Sequence, residues 1–135
     1  MPVVLIDTDI AIDFLRGEAY AQPVLASLWQ EGQAVVSVLT VYELTAGMRE
    51  KEKIATRNFI GACTVEDVSP DVAMRAAELY RKYRAKGITL NSLDCLIAAT
   101  ALVKGCKVAT RNARHYPEKG LVLDIAGYST TAGSV

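Results

Sequence analysis

The 135-residue sequence predicts a three-layer α/β/α sandwich, built on a mainly parallel sheet of about five strands. Three observations carry this. Short β-rich runs alternate with helical stretches of roughly ten or more residues, the pattern of βαβ units. The first run, Val3–Ile6, is apolar without a break, as a strand buried on both faces should be. Hydrophobic residues make up 51% of the chain, enough to fill the core of one domain of this length.

The strand candidates are Val3–Ile6, Ala34–Val38, Cys63–Val65, Lys107–Thr110 and Leu121–Leu123. A first helix follows Asp7, with Thr8 or Asp9 as its cap. Ala19–Glu31 places Val24, Leu25, Leu28 and Trp29 on one face and stops at Gly32. Val41–Gly47 starts after Thr40, and a further helical stretch covers Lys51–Ile60. Val72–Lys86 is entered through Ser69-Pro70-Asp71 and left at Gly87. Leu93–Lys104 is apolar almost all round, which predicts a buried helix, and it ends at Gly105. Residues 1–128 are expected to form one domain, with a small, polar, fraying tail at Ser129–Val135.

Composition removes several function classes. Lys and Arg total 15, as do Asp and Glu, so the net charge is zero and no general affinity for nucleic acid is expected. A local basic rim remains compatible with that balance. No apolar run is long enough for a membrane span, and no basic leader or cleavage site precedes the first strand, so a cytoplasmic protein is expected. Cys63, Cys95 and Cys106 form an odd set without C-x-x-C spacing, which reads as reduced thiols. His115 is the one histidine and cannot anchor a zinc site alone. Any metal should therefore be hard and oxygen-ligated.

At four junctions a strand or loop gives way to a helix and leaves a carboxylate or amide there. These are Ile6-Asp7-Thr8-Asp9, Ser37 to Leu44 with Glu43, Asn91 to Leu102 with Asp94, and Val108 to Tyr116 with Thr110 and Asn112. Each has a local explanation. Thr40 with Glu43 reads as a capping box, and Asn91 with Asp94 offers the same geometry. Asn112 reads as the cap of a short helix before Pro117. In a parallel sheet, however, the strand C-termini share one edge, and ligands bind there where strand order switches. This predicts convergence of Asp7, Glu43 and Asp94. Three such carboxylates repel one another, a cation removes that penalty, and oxygen-only ligation selects Mg²⁺ or Mn²⁺. Such ions polarise a phosphoryl oxygen and lower the pKa of water, so phosphodiester hydrolysis needs no nucleophilic side chain. None of the nucleophile-elbow, Cys–His or P-loop patterns is present to supply another chemistry.

Three stretches, "IDTDIAIDFLRG", "VSVLTVYELTAGM" and "LDCLIAATALVKGCKVATRNARHYP", together resemble the PIN-domain ribonucleases, and more narrowly the VapC-type toxins of toxin–antitoxin pairs. The resemblance spans nearly the whole chain. It implies an α/β/α fold and a Mg²⁺- or Mn²⁺-dependent endoribonuclease acting on RNA, with an antitoxin partner and a homodimer. The family's acid positions fall on Asp7, Glu43 and Asp94, its helper hydroxyls on Thr8 and Thr110, and its T-x-N position on Asn112. Two departures stand out. Position 9 is Asp, either an added ligand or only a cap. The fourth acid, which many members carry at or just after this T-R-N segment, is absent, which puts a second metal in doubt.

Arg111 and Arg114 are the nearest candidates for holding RNA phosphates, with Arg84 and Lys86 of the basic run "YRKYRAKG" as further ones. The same run also suits a solvated helix C-terminus. Asp13 is expected to face solvent or support Arg16, His115 to be a surface or structural residue, and Tyr80 and Tyr83 to pack in or near the core. Apolar surface on the early helices would serve a homodimer or a helix-in-groove antitoxin segment. Two other classes compete. One is a D-x-D phosphatase with Asp7 as nucleophile and Asp9 as general acid. The other is a catalytically weak module that binds RNA or a partner.

Overall fold

The structure, a computed structural model, describes residues 3–127; the tail expected at 129–135 lies outside them. Four parallel strands form its centre: β1 (Val4–Ile6), β2 (Ala34–Ser37), β3 (Thr64–Glu66) and β4 (Lys107–Ala109). They are ordered β3-β2-β1-β4, with Val4 opposite Ala34 and Leu5 opposite Val108. The fifth expected strand contributes one parallel bridge, Val122 to Val108, made by bonds from the Val108 N–H to the Leu121 carbonyl and from the Leu123 N–H to the Val108 carbonyl. The sheet is thus four-stranded with a single-bridge extension at the β4 edge.

Side chains alternate across the strands and sort the helices into two layers. Leu5, Val35 and Val108 point to one face, where they pack with α5 (Pro70–Arg84) and α6 (Ser92–Lys104). Val4, Ile6, Val36 and Ala109 point to the other, against α1 (Thr8–Leu15), α2 (Ala21–Gln30), α3 (Val38–Gly47) and α4 (Lys53–Gly61). On that side Phe14, Trp29 and Phe59 form an aromatic cluster with centroids 5.1–5.7 Å apart. Short 3-10 turns occupy Glu50–Glu52 and Ala113–His115.

Helix ends follow from local chemistry. Ser69 caps α5 with Pro70 in its first turn, and Asn91 caps α6 by accepting the Leu93 and Asp94 N–H groups. Gly105 ends α6 in the left-handed region at φ 74°, where a Cβ would be strained. Two expected starts move. Asp7, not Thr8 or Asp9, caps α1. Helix α3 begins at Val38, capped by Ser37, so Thr40 lies inside the helix and forms no capping box with Glu43. The serine that ends β2 is itself a good cap, and it pre-empts the later threonine. All three cysteines are free, and among the described residues no helix is long and apolar enough to cross a membrane.

The chain runs β1, β2, β3 outward and then returns to place β4 on the other side of β1. Strand order therefore switches between β1 and β4, which opens a crevice at their C-terminal ends. Asp7 stands on one side of it and Thr110 on the other, joined by a 2.9 Å bond from the Asp7 N–H to the Ala109 carbonyl.

Candidate functional site

Asp7 is held from three directions at this crevice. Its Oδ1 accepts the Thr8 N–H at 2.8 Å, and its Oδ2 accepts the Thr110 hydroxyl at 2.9 Å and the Tyr116 hydroxyl at 2.8 Å. Every donor is uncharged, so Asp7 is oriented without being neutralised. Glu43, in the second turn of α3, accepts the Thr8 hydroxyl at 2.7 Å. Thr8 has one hydroxyl proton, so the buried Thr40, 3.0 Å away, must donate to Thr8. A relay from Thr40 through Thr8 thereby fixes Glu43 beside Asp7. Among the described residues, no salt bridge reaches Asp7 or Glu43.

Asp94, at the N-terminal turn of α6, does not reach back to its cap. Its Oδ1 lies 3.5 Å from the Tyr116 hydroxyl and its Oδ2 3.5 Å from His115 Nδ1. Burial pushes its pKa up, and the charges of Asp7 and Glu43 add to that, against the opposing pull of His115 and the Tyr116 hydrogen bond.

Asp9 does different work. It accepts the N–H groups of Ile10 and Arg111 at 2.8 Å each and the Asn112 side-chain amide at 3.1 Å. Thr110 lies within 3.4 Å as well. With both oxygens engaged, Asp9 fastens the segment 110–112 to α1. Burial, its largest influence, raises its pKa, and Asp7 adds to the rise, while the Arg111 and Ile10 N–H groups pull it down. Asn112 does not cap the following turn with its side chain; it turns back to Asp9, and its N–H donates to the Thr110 oxygen at 3.0 Å.

The basic residues divide. The Arg111 guanidinium sits 4.5 Å from the Tyr20 ring centre and 3.8 Å from Asp13, which also accepts the Tyr20 hydroxyl. Asp13 is therefore part of the rim, paired with Arg111 rather than turned to solvent or supporting Arg16. Arg114 is exposed. Arg84 and Lys86 are exposed at the end of α5, with no hydrogen bond or ion pair to the acids, and Lys86 lies over the Tyr83 ring. Lys82 is occupied by Glu118 at 3.1 Å.

Sequence reasoning missed Tyr116 and Thr40. Thr40 was read as a cap, and Tyr116, an aromatic before Pro117, gave no signal apart from its place five residues after Arg111 of the T-R-N segment. The donor set fits a hard cation: carboxylates without Lys or Arg partners, and no sulfur. The fit is open rather than a finished cage, since among the described residues no group of three Asp, Glu, His or Cys side chains is already drawn around one point. Thr8 holds Glu43 to one side, and Tyr116 stands between Asp7 and Asp94.

Comparison with known proteins places the fold within a family. Ribonuclease VapC19 of Mycobacterium tuberculosis is 42% identical over 114 residues, covering 84% of this chain and 91% of that protein. Ribonuclease VapC10 of the same organism is 34% identical over 115 residues, covering 85% and 86%. A toxin–antitoxin complex from Klebsiella pneumoniae contains a chain of similar fold, with a TM-score of 0.75 at 25% identity, covering 90% of this chain and 97% of that one. The family model for the PIN domain matches residues 4–118, a span that takes in every acid, hydroxyl and amide of the crevice, and the chain belongs to the PIN-domain family.

Proposed function

We propose that this protein is a Mg²⁺- or Mn²⁺-dependent endoribonuclease, the toxin of a toxin–antitoxin pair, acting on RNA in the cytoplasm. The observation that carries the proposal is the approach of three acids at the strand-order switch, Asp7 and Asp94 to either side of Tyr116 and Glu43 through Thr8, with Asp7 and Glu43 oriented by neutral donors and, among the described residues, in no ion pair. The similar ribonucleases VapC19 and VapC10 support the substrate class. When bound, the ion supplies Lewis-acid chemistry and makes water acidic enough to attack a phosphodiester near neutral pH.

The chain's own residues set the geometry for that chemistry. Asp7, Glu43 and Asp94 are the proposed ligands. Thr8 and Thr110 turn Glu43 and Asp7, while Asp9 and Asn112 hold the loop that carries Thr110 in place. Arg111, set at the rim by Asp13 and Tyr20, and exposed Arg114 are proposed to take the phosphates flanking the cleaved bond, with Arg84 and Lys86 further along. A groove lined by Ile12, Leu15, Leu44, Arg16 and Lys51 opens beside Glu43, and its mixed apolar and charged walls suit an amphipathic antitoxin segment.

Cleavage of total RNA should require Mg²⁺ or Mn²⁺ and stop with EDTA. Asp94→Asn should lose about a hundredfold or more in rate, since ligands and the groups that align them act together; a loss under about tenfold would remove Asp94 from the assignment. Tight RNA binding without turnover at any divalent concentration would favour the binding module. The phosphatase alternative is weakened by Asp9, whose oxygens face the 110–112 segment rather than an open position.

A further inference from the structure

We propose that Tyr116 is a positioning residue whose hydroxyl sets the spacing of Asp7 and Asp94 and so tunes their affinity for the divalent ion. The proposal rests on the metal-dependent reading above and adds a residue to it.

Tyr116 is buried, 3% exposed, with its one polar atom directed into the crevice. Its hydroxyl lies 2.8 Å from Asp7 Oδ2 and 3.5 Å from Asp94 Oδ1, so one oxygen stands against the acid that caps α1 and the acid in the first turn of α6. The ring is fixed from both sides in sequence. Upstream, Asp9 holds Arg111 and Asn112. Downstream, Glu118 accepts the Tyr83 hydroxyl at 2.8 Å and Lys82 Nζ at 3.1 and 3.2 Å, which pins the chain to α5. A flexible donor would adjust to either acid. This one is held, and the acids must adjust to it.

Its chemistry suits the task. Two nearby carboxylates need donors, but a Lys or Arg between them would neutralise the charge that attracts a cation. A phenol donates its one proton to Asp7, sets its oxygen against Asp94 and leaves both charges intact. It also leaves a second lone pair on Asp7 Oδ1, which among the described residues accepts the Thr8 N–H alone.

Tyr116→Phe removes one oxygen and keeps the ring that fills the core. Binding of Mn²⁺ alone, followed by the electron paramagnetic resonance of the free ion, should weaken by about tenfold, the lower end of what loss of a group that orients ligands costs. The melting temperature in EDTA should change little. In an Asp7→Asn background the same change should have little further effect, because the hydroxyl acts through Asp7. Glu118→Gln, which loosens the downstream anchor and keeps Tyr116, should weaken Mn²⁺ in the same direction by less. Equal Mn²⁺ affinity in the wild type and Tyr116→Phe would overturn the positioning role alone. A wild-type protein that binds no Mn²⁺ would overturn both this role and the metal-dependent reading.

Discussion

Asp94 is a half-buried carboxylate that faces two others, and its raised pKa has consequences of defined sign. An acid whose folded pKa exceeds its unfolded value costs stability as pH rises through the interval between them. Without metal, Asp94→Asn should therefore melt a few degrees above the wild type at pH 7. That advantage should disappear below about 3.8, the ordinary value for the group, in a thermal melt in EDTA run from pH 3 to 8. The same elevation predicts that protons compete with the ion at higher pH than an ordinary carboxylate would allow, so on acidification Mn²⁺ affinity should begin to fall sooner than a group of the ordinary value would cause. At the rim, Lys82 is engaged by Glu118 while Arg114 is open, so Arg114→Ala should weaken RNA binding and Lys82→Ala should not, measured by fluorescence anisotropy. Asp7 and Glu43 could be grouped from the sequence because acids just past the strands of a parallel sheet share an edge; Asp94 follows α5 across a loop, and only the fold brings it to Tyr116. Tyr116 was not legible, because its ring packs like any core aromatic and only the fold shows where its oxygen ends. Asp13 was misjudged for a related reason: its partners, Tyr20 and Arg111, come from a loop and a distant strand end.

Among the elements, the helix starts deliver the acids. Asn91 caps α6 and so fixes the turn that carries Asp94. Asn91→Ala should cost about 1 kcal/mol in urea unfolding and lower cleavage as well, because the turn it steadies holds a functional side chain. Apolar runs marked β1 and β2, which are buried on both faces and leave little room for polar residues, whereas β3 is largely exposed and carries Thr64 and Glu66. The run Leu121–Leu123 read equally well yet makes a single bridge, because it lies at the sheet edge, where pairing depends on what neighbours it rather than on its own composition. The start of α3 was misplaced by three residues. Two hydroxyl residues, Ser37 and Thr40, both fit a cap, and only the end of β2 decides between them. That shift frees Thr40 from capping and makes it the first donor in the relay to Glu43.

For the whole molecule, zero net charge limits how far RNA is drawn by electrostatics alone. If Arg111 and Arg114 carry most of the phosphate contact, the logarithm of RNA affinity against the logarithm of salt concentration should fall with a slope of about −1 to −2, shallow for a protein that acts on nucleic acid. The crevice also joins parts of the chain that are made far apart in time. The bond from Thr110 to Asp7 spans 103 positions, and Tyr116 reaches back 109. β4 slides in beside β1 only after β2, β3 and two further helices exist. An interrupted chain that stops before Lys107 holds all three acids yet lacks Thr110 and Tyr116, the side chains that aim Asp7. The order of synthesis thus withholds the assembled centre from unfinished copies, a safeguard written into topology for a protein proposed to cut its own cell's RNA.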